Sequence, residues 1–113
     1  MLIKGKSPTE LAIELLDRSV CAVQVAAVLA DHRGIFAWGW NSSGPDGFGE
    51  HAEINCLKRS NHRRVSNAIM YVVARRRKSG NMVMARPCAA CWPLVKQCFS
   101  VEWRNKNGTW QID

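Results

Sequence analysis

His51-Ala52-Glu53 and, further along, Pro87-Cys88-Ala89-Ala90-Cys91 place one imidazole, two thiols and a spare carboxylate in the chain in a fixed order. Zinc is commonly four-coordinate, and a site with three protein ligands keeps its fourth position open for water. His51, Cys88 and Cys91 supply three such ligands, so the expected cofactor is Zn2+ in a catalytic site. Zinc lowers the pKa of a bound water from 15.7 toward about 7, and a nearby carboxylate can then accept and redeliver its proton. Glu53 is the candidate for that catalytic role. Cys88 and Cys91 are three apart and share a face on a helix. Pro87 suits the first turn of such a helix, where thiolates are favoured by the free N–H groups and the macrodipole. His51 and Glu53, two apart, would diverge on a regular helix. The spacing therefore predicts that His51 stands at the very start of its helix, before the backbone becomes regular.

Two other readings of these residues are weaker. A closed structural zinc knot needs a fourth ligand, and Cys56 is the obvious choice. It lies five residues after His51, roughly 140° around a helix, so it is expected to face the core. A redox Cys-x-x-Cys pair normally follows a strand in a βαβ unit and has no need of a His-x-Glu partner.

Working outward, Ser7-Pro8-Thr9-Glu10 reads as a capping box that opens an amphipathic helix through about Asp17, with Leu11, Leu15 and Leu16 as its apolar stripe. Residues 20–30 read as a buried strand. Asp31-His32-Arg33-Gly34 reads as a turn, residues 35–40 as a second strand, and residues 41–49 as a polar, Gly-rich loop. Gly44-Pro45-Asp46-Gly47 within that loop is a candidate rim of the site. A helix is predicted over residues 50–59 and a central strand over 68–74. A basic connection over 75–81 leads to Met82-Val83-Met84-Ala85, and a helix over 87–99 follows. Strands at 100–104 and 109–112 flank Asn105-Lys106-Asn107-Gly108, where Asn-Gly signals a hairpin. The order α-β-β-α-β-α-β-β argues for a layered α/β fold, with both metal motifs at helix starts outside strand ends.

With 113 residues, residues 1–113 are read as a single domain, and 47% hydrophobic residues exclude a disordered chain. Five cysteines leave Cys21, Cys56 and Cys98 outside the metal motif, best read as free core thiols in a reducing compartment. Met1-Leu2-Ile3-Lys4 has no signal-peptide character, and residues 20–30 are too short to span a bilayer. The expectation is a soluble, cytoplasmic protein with no membrane partner.

His-x-Glu followed by Pro-Cys-x-x-Cys resembles the signature of the cytidine deaminase-like zinc deaminases, and the likeness runs over nearly the whole chain. The resemblance implies a three-layer α/β fold, with a mixed sheet of about five strands flanked by helices. The C-terminal β-hairpin resembles the free-cytidine deaminase branch and compact toxin-type nucleic-acid deaminases. It implies hydrolytic conversion of cytosine to uracil, a zinc-activated water attacking the ring carbon and Glu53 shuttling protons. The Ala52 backbone would contact the base carbonyl. Gly39-Trp40-Asn41 resembles the family segment whose Asn contacts sugar or base, which makes Asn41 a substrate-binding candidate. Trp92, directly after Cys91, is another. Family relatives are often dimers or tetramers, so a homo-oligomer is a candidate state. No Asn-x-Glu sugar-binding motif is present, and the small size resembles compact deaminases carried by viruses.

The net charge of +7 and pI near 9.6 direct the substrate reading toward phosphates. Lys58-Arg59, Arg63-Arg64 and Arg75-Arg76-Arg77-Lys78 carry much of the charge. Five Trp and Phe48 are potential stacking surfaces for a single strand, although Trp38 and Trp40 read as core and Trp103 and Trp110 as a cross-strand pair. The expected substrate is a nucleotide or single-stranded nucleic acid. Free cytidine or deoxycytidine, an adenine substrate, and a catalytically silent zinc-dependent nucleic-acid-binding module are the alternatives. His32 and His62 read as exposed, and Met82 and Met84 as core packing.

Overall fold

The capping box forms as written in the sequence. Ser7 Oγ accepts the Glu10 N–H at 3.2 Å, and the Glu10 carboxylate accepts the Ser7 N–H at 3.3 Å, opening helix α1 (Pro8–Leu15). The computed structural model describes residues 6–42, 50–105 and 110–112. Expectations for residues 1–4, the Gly-rich rim and Phe48, and the Asn107-Gly108 turn lie outside these. α1 does not continue through Asp17 as an α-helix; Leu16–Arg18 tighten into a 3-10 turn.

The strands are β1 (Val23–Asp31), β2 (Gly34–Trp40), β3 (Ile69–Arg76), the short β4 (Met82–Val83), β5 (Ser100–Arg104) and β6 (Trp110–Ile112). Five of them run in the order β2-β1-β3-β5-β6, and β4 pairs with β3. β3 is central, as its apolar run predicts. β1 is antiparallel to β2 and β3, β3 is parallel to β5, and β5 forms the C-terminal antiparallel hairpin with β6. The sheet is therefore mixed.

Both faces of β1 and β3 are covered. Ala27 and Leu29 of β1 and Met70, Val72 and Ala74 of β3 pack on one side against helix α2 (Ala52–Arg59), Val65 of α3 (His62–Val65) and Val95 of α4 (Trp92–Val95). The alternate residues Ala26, Val28 and Val73 pack on the other side against Leu11, Ala12, Leu15 and Leu16. This is why these strands read as continuous apolar runs. The result is a three-layer α/β/α arrangement. Among the described residues no helix is long and apolar enough to cross a membrane.

Several expectations are corrected. The first strand starts at Val23, not residue 20, and Val20 is 64% exposed. Its partner β3 ends opposite Val23, at Arg76, and leaves residues 20–22 without a strand to pair. β3 thus takes in Arg75 and Arg76, which sequence assigned to the basic connection. The helix expected over 87–99 is reduced to α4. Trp92 N–H closes a turn on Cys88 C=O at 2.9 Å, but Pro93 has no N–H to extend the ladder, and Pro87 stands outside the helix. α3 forms between residues 59 and 68, where the sequence reading assigned no element, capped by Asn61 Oδ1 accepting from the Arg63 N–H at 3.1 Å. Trp103 pairs with Gln111 and Arg104 with Trp110, so the expected Trp103–Trp110 pair is offset by one residue. Cys21 is half-exposed, not a core thiol.

Candidate active site

The helix that carries the first half of the motif is held tightly against the sheet. A Cβ on Gly39 would come within 2.6 Å of the Cys56 backbone nitrogen and 3.0 Å of the Ala52 carbonyl. Only a glycine in β2 permits this approach. His51 caps α2 with extended backbone, φ −71° and ψ 150°. It therefore stands before the regular helix, as the two-residue spacing to Glu53 requires. Glu53 lies in the first turn and is 5% exposed. Ala52 is the first helical residue and fully buried, and its N–H has no acceptor within the helix. Cys56 is buried in the core and is not part of the cluster that His51, Cys88 and Cys91 form.

Across the site, the single turn Cys88–Trp92 presents both thiols. His51 Nδ1 lies 3.0 Å from Cys91 Sγ and 3.5 Å from Cys88 Sγ. The ligand atoms of His51, Cys88 and Cys91 all fall within 4.8 Å of one another. Tetrahedral zinc with Zn–S of about 2.3 Å and Zn–N of about 2.0 Å holds such atoms roughly 3.5–4 Å apart. One imidazole and two thiols at this spacing fit Zn2+. Cys91 is buried, while His51 and Cys88 are exposed. Burial pushes the Cys91 thiol up to about 12, with the Glu53 carboxylate and the Cys88 thiol adding to the rise. The Glu53 carboxyl is raised above its ordinary value, chiefly by burial, against the opposing influence of its own backbone N–H and of His51.

A cavity of about 220 Å³ opens over this cluster. Its walls include His51, Ala52, Glu53 and Cys88 together with Asn41, Val23, Val25 and Ala74 at the sheet end. Asn41 is in the wall, but most of its amide is already engaged. Its Oδ1 accepts from Ser19 Oγ at 2.7 Å and from Val25 N–H at 2.9 Å, and its Nδ2 donates to the Val23 carbonyl at 2.8 Å. Among the described residues these bonds use one of the two Nδ2 hydrogens. Trp92 is not in the cavity wall: it packs half-buried against the core beneath the Arg86 guanidinium, 4.7 Å from the ring centre. Met84, expected in the core, is 52% exposed and lines the cavity. Arg86 also lines it and was not singled out in the sequence; its place directly before Pro87-Cys88 was the one available signal. His32 and His62 are exposed, as expected.

The comparisons with known proteins agree with this geometry. The fold is similar to that of a cytidine deaminase from Burkholderia pseudomallei, with a TM-score of 0.70 at 17% identity over 100% of this chain and 92% of that one. No curated protein matches the sequence at a significant level. The family described as the cytidine and deoxycytidylate deaminase zinc-binding region matches residues 5–102, a span that holds His51, Glu53, Cys88 and Cys91. By that match the chain belongs to the cytidine and deoxycytidylate deaminase zinc-binding family.

Proposed function

We propose that this protein hydrolyses the exocyclic amine of cytosine to give uracil, acting on a nucleotide or a single-stranded nucleic acid. The observation that carries the reading is the position of Glu53. It is a buried carboxyl in the wall of the same cavity as His51 and Cys88, and it is separate from the three metal-ligating side chains. A structural zinc knot has no use for such a group.

In this reading His51 Nδ1, Cys88 Sγ and Cys91 Sγ would hold a zinc ion. Zinc at such a site supplies a water ionisable near neutral pH. Glu53 accepts that water's proton and delivers it to the ring nitrogen as the C–O bond forms at the amine-bearing carbon. Glu53 then takes the proton of the newly added hydroxyl and gives it to the amine, so the C–N bond breaks and ammonia leaves as the carbonyl forms. The Ala52 N–H, which has no acceptor within the helix, fits a base carbonyl, and the second Nδ2 hydrogen of Asn41 fits a sugar or base oxygen. Asn41 also fastens the start of β1, so a change there acts on the wall as well as on the substrate.

The test is parallel incubation of zinc-loaded protein with cytidine, deoxycytidine, their monophosphates and a cytosine-containing oligonucleotide, with Glu53→Ala as control. Uracil formed in the wild type and absent in the control supports the reading. Uracil formed equally by both would overturn the role of Glu53, and turnover of adenine substrates alone would overturn the base assignment.

A further inference from the structure

The cations of this chain are unequal once their partners are counted. Arg64 makes two hydrogen bonds to Asp31, at 2.6 and 2.7 Å, and Lys58 pairs with Glu50. Arg59 lies over the Trp40 ring at 4.9 Å. Arg75 bonds Asp17 at 2.7 Å and Gln24 at 2.8 and 3.0 Å. Arg63 and Arg64 also border a groove with Asp31 and His32, at the end of β1 remote from the cavity. Val23 and Asp31 are the two ends of the nine-residue strand β1, roughly 26 Å apart at about 3.3 Å per residue step.

Arg76 is different. The register pairs Val25 with Ala74 and Val23 with Arg76, and residues directly opposite in an antiparallel pair share a face. Val25, Ala74 and Val23 all line the cavity. Arg76 therefore stands on the face that lines the cavity, opposite Val23 and one pleat beyond Ala74, while Arg75 is turned to the opposite face toward Asp17. Arg76 is exposed, and among the described residues no acidic side chain pairs with it. Arg77 and Lys78 follow it, exposed, in the turn closed by Gly80 N–H on Arg76 C=O at 2.8 Å. Arg86 lies in the wall of the same cavity. At about 220 Å³ the cavity is below the roughly 300 Å³ at which pockets enclose drug-sized ligands. It has room for a base, with the rest of a nucleotide left at the mouth. Guanidinium groups bind phosphate with paired N–H donors.

We propose that Arg76, supported by Arg77 and Lys78, binds a phosphate of the substrate at the mouth of the cavity and makes the protein select phosphorylated cytosine compounds over the free nucleoside. The proposal rests on the cytosine reading for the identity of the base. Its own content is the phosphate and the residue that holds it.

The experiment separates the two by measuring binding as well as turnover. Zinc-loaded wild type, Arg76→Ala, Arg76→Lys and the remote control Arg63→Ala are titrated with deoxycytidine, deoxycytidine monophosphate and a short cytosine oligonucleotide. Wild type should bind at least one phosphorylated compound about tenfold or more tightly than deoxycytidine. Arg76→Ala should lose most of that ratio, Arg76→Lys should retain part of it, and Arg63→Ala should retain all of it. For the oligonucleotide, removing one contact should lower the slope of log affinity against log salt by about 0.7. A preference already complete with the monophosphate assigns the phosphate to a mononucleotide, and one seen only with the oligonucleotide assigns it to a polynucleotide backbone. Equal affinity for deoxycytidine and both phosphorylated compounds, or an Arg76→Ala ratio equal to wild type, overturns the proposal even if cytosine is deaminated. Arg76-dependent phosphate binding without deamination overturns the cytosine reading and keeps the phosphate site.

Discussion

Gly39 of β2 lies so close to Cys56 of α2 that a Cβ would stand 2.6 Å from its backbone nitrogen and 2.6 Å from Asn55 Oδ1. The first of these atoms is backbone in a helix and has little room to yield. Gly39→Ala is therefore expected to push α2 outward, at an overpacking cost of about 1–3 kcal/mol. Because α2 begins at the metal site, the displacement should reach His51 and Glu53. Thermal unfolding should move to lower temperature and zinc affinity should fall with it. A variant with wild-type melting and zinc affinity would refute the account of that contact.

Glu53→Gln keeps size and burial but removes the carboxylate. Zinc content and the circular dichroism spectrum should stay as in wild type, while turnover of a cytosine substrate falls by about 10²–10⁴-fold, the usual worth of a positioned acid–base group. Loss of zinc in this variant would instead make Glu53 a ligand.

Cys91 is expected to couple metal uptake to pH. In the metal-free protein its thiol is pushed up to about 12, so at pH 7 it holds its proton and must release it to bind zinc. Zinc titration should release at least one proton, and affinity should weaken about tenfold per pH unit of acidification for each proton released. Calorimetry in buffers of different ionisation enthalpy counts these protons. A count of zero would contradict the assignment of Cys91 as a ligand. Cys88→Ser should show much reduced zinc by metal analysis, and chelation of the wild type should abolish turnover until zinc is restored.

Asp31 and Arg64 give a second pH dependence, in stability. The Arg64 hydrogen bonds hold the Asp31 carboxyl well below the usual carboxylate range, with the Arg33 N–H helping. A depressed folded-state pKa stabilises above the unfolded value, about 3.9, and that stabilisation is lost as pH falls further. Wild type should therefore lose stability on acidification below about pH 4 more steeply than Asp31→Asn. Denaturant midpoints at pH 7, 4 and 2.5 read the difference. Parallel pH curves for the two proteins would assign the acid sensitivity to other groups.

The metal site was legible in the sequence because each of its residues has a chemical type that few roles require, and the two-residue step from His51 to Glu53 already demanded an irregular helix start. The buried strands were legible through their continuous apolar runs. The helix after Cys91 was not, because the helix-starting character of Pro87 outweighed the break at Pro93. The basic run 75–78 was not either. Composition treats its four cations alike, whereas the pleat turns Arg75 toward Asp17 and Gln24 and leaves Arg76 on the cavity face. Met84 and Arg86 entered the wall from an irregular stretch between β4 and α4, where no periodicity marks which side faces the site.

His51 and Cys91 stand 40 residues apart in the chain, and the contact between them closes a long loop. Local contacts such as the β1–β2 hairpin close at small entropic cost, whereas this one waits for β3 to be laid beside β1 and for the chain to return past it. Metal capture is thus expected to follow the pairing of β1 with β3. An ion that fluoresces or absorbs on binding both thiolates would act as a clock for the final closure, sounding only when the two distant halves of the chain have met.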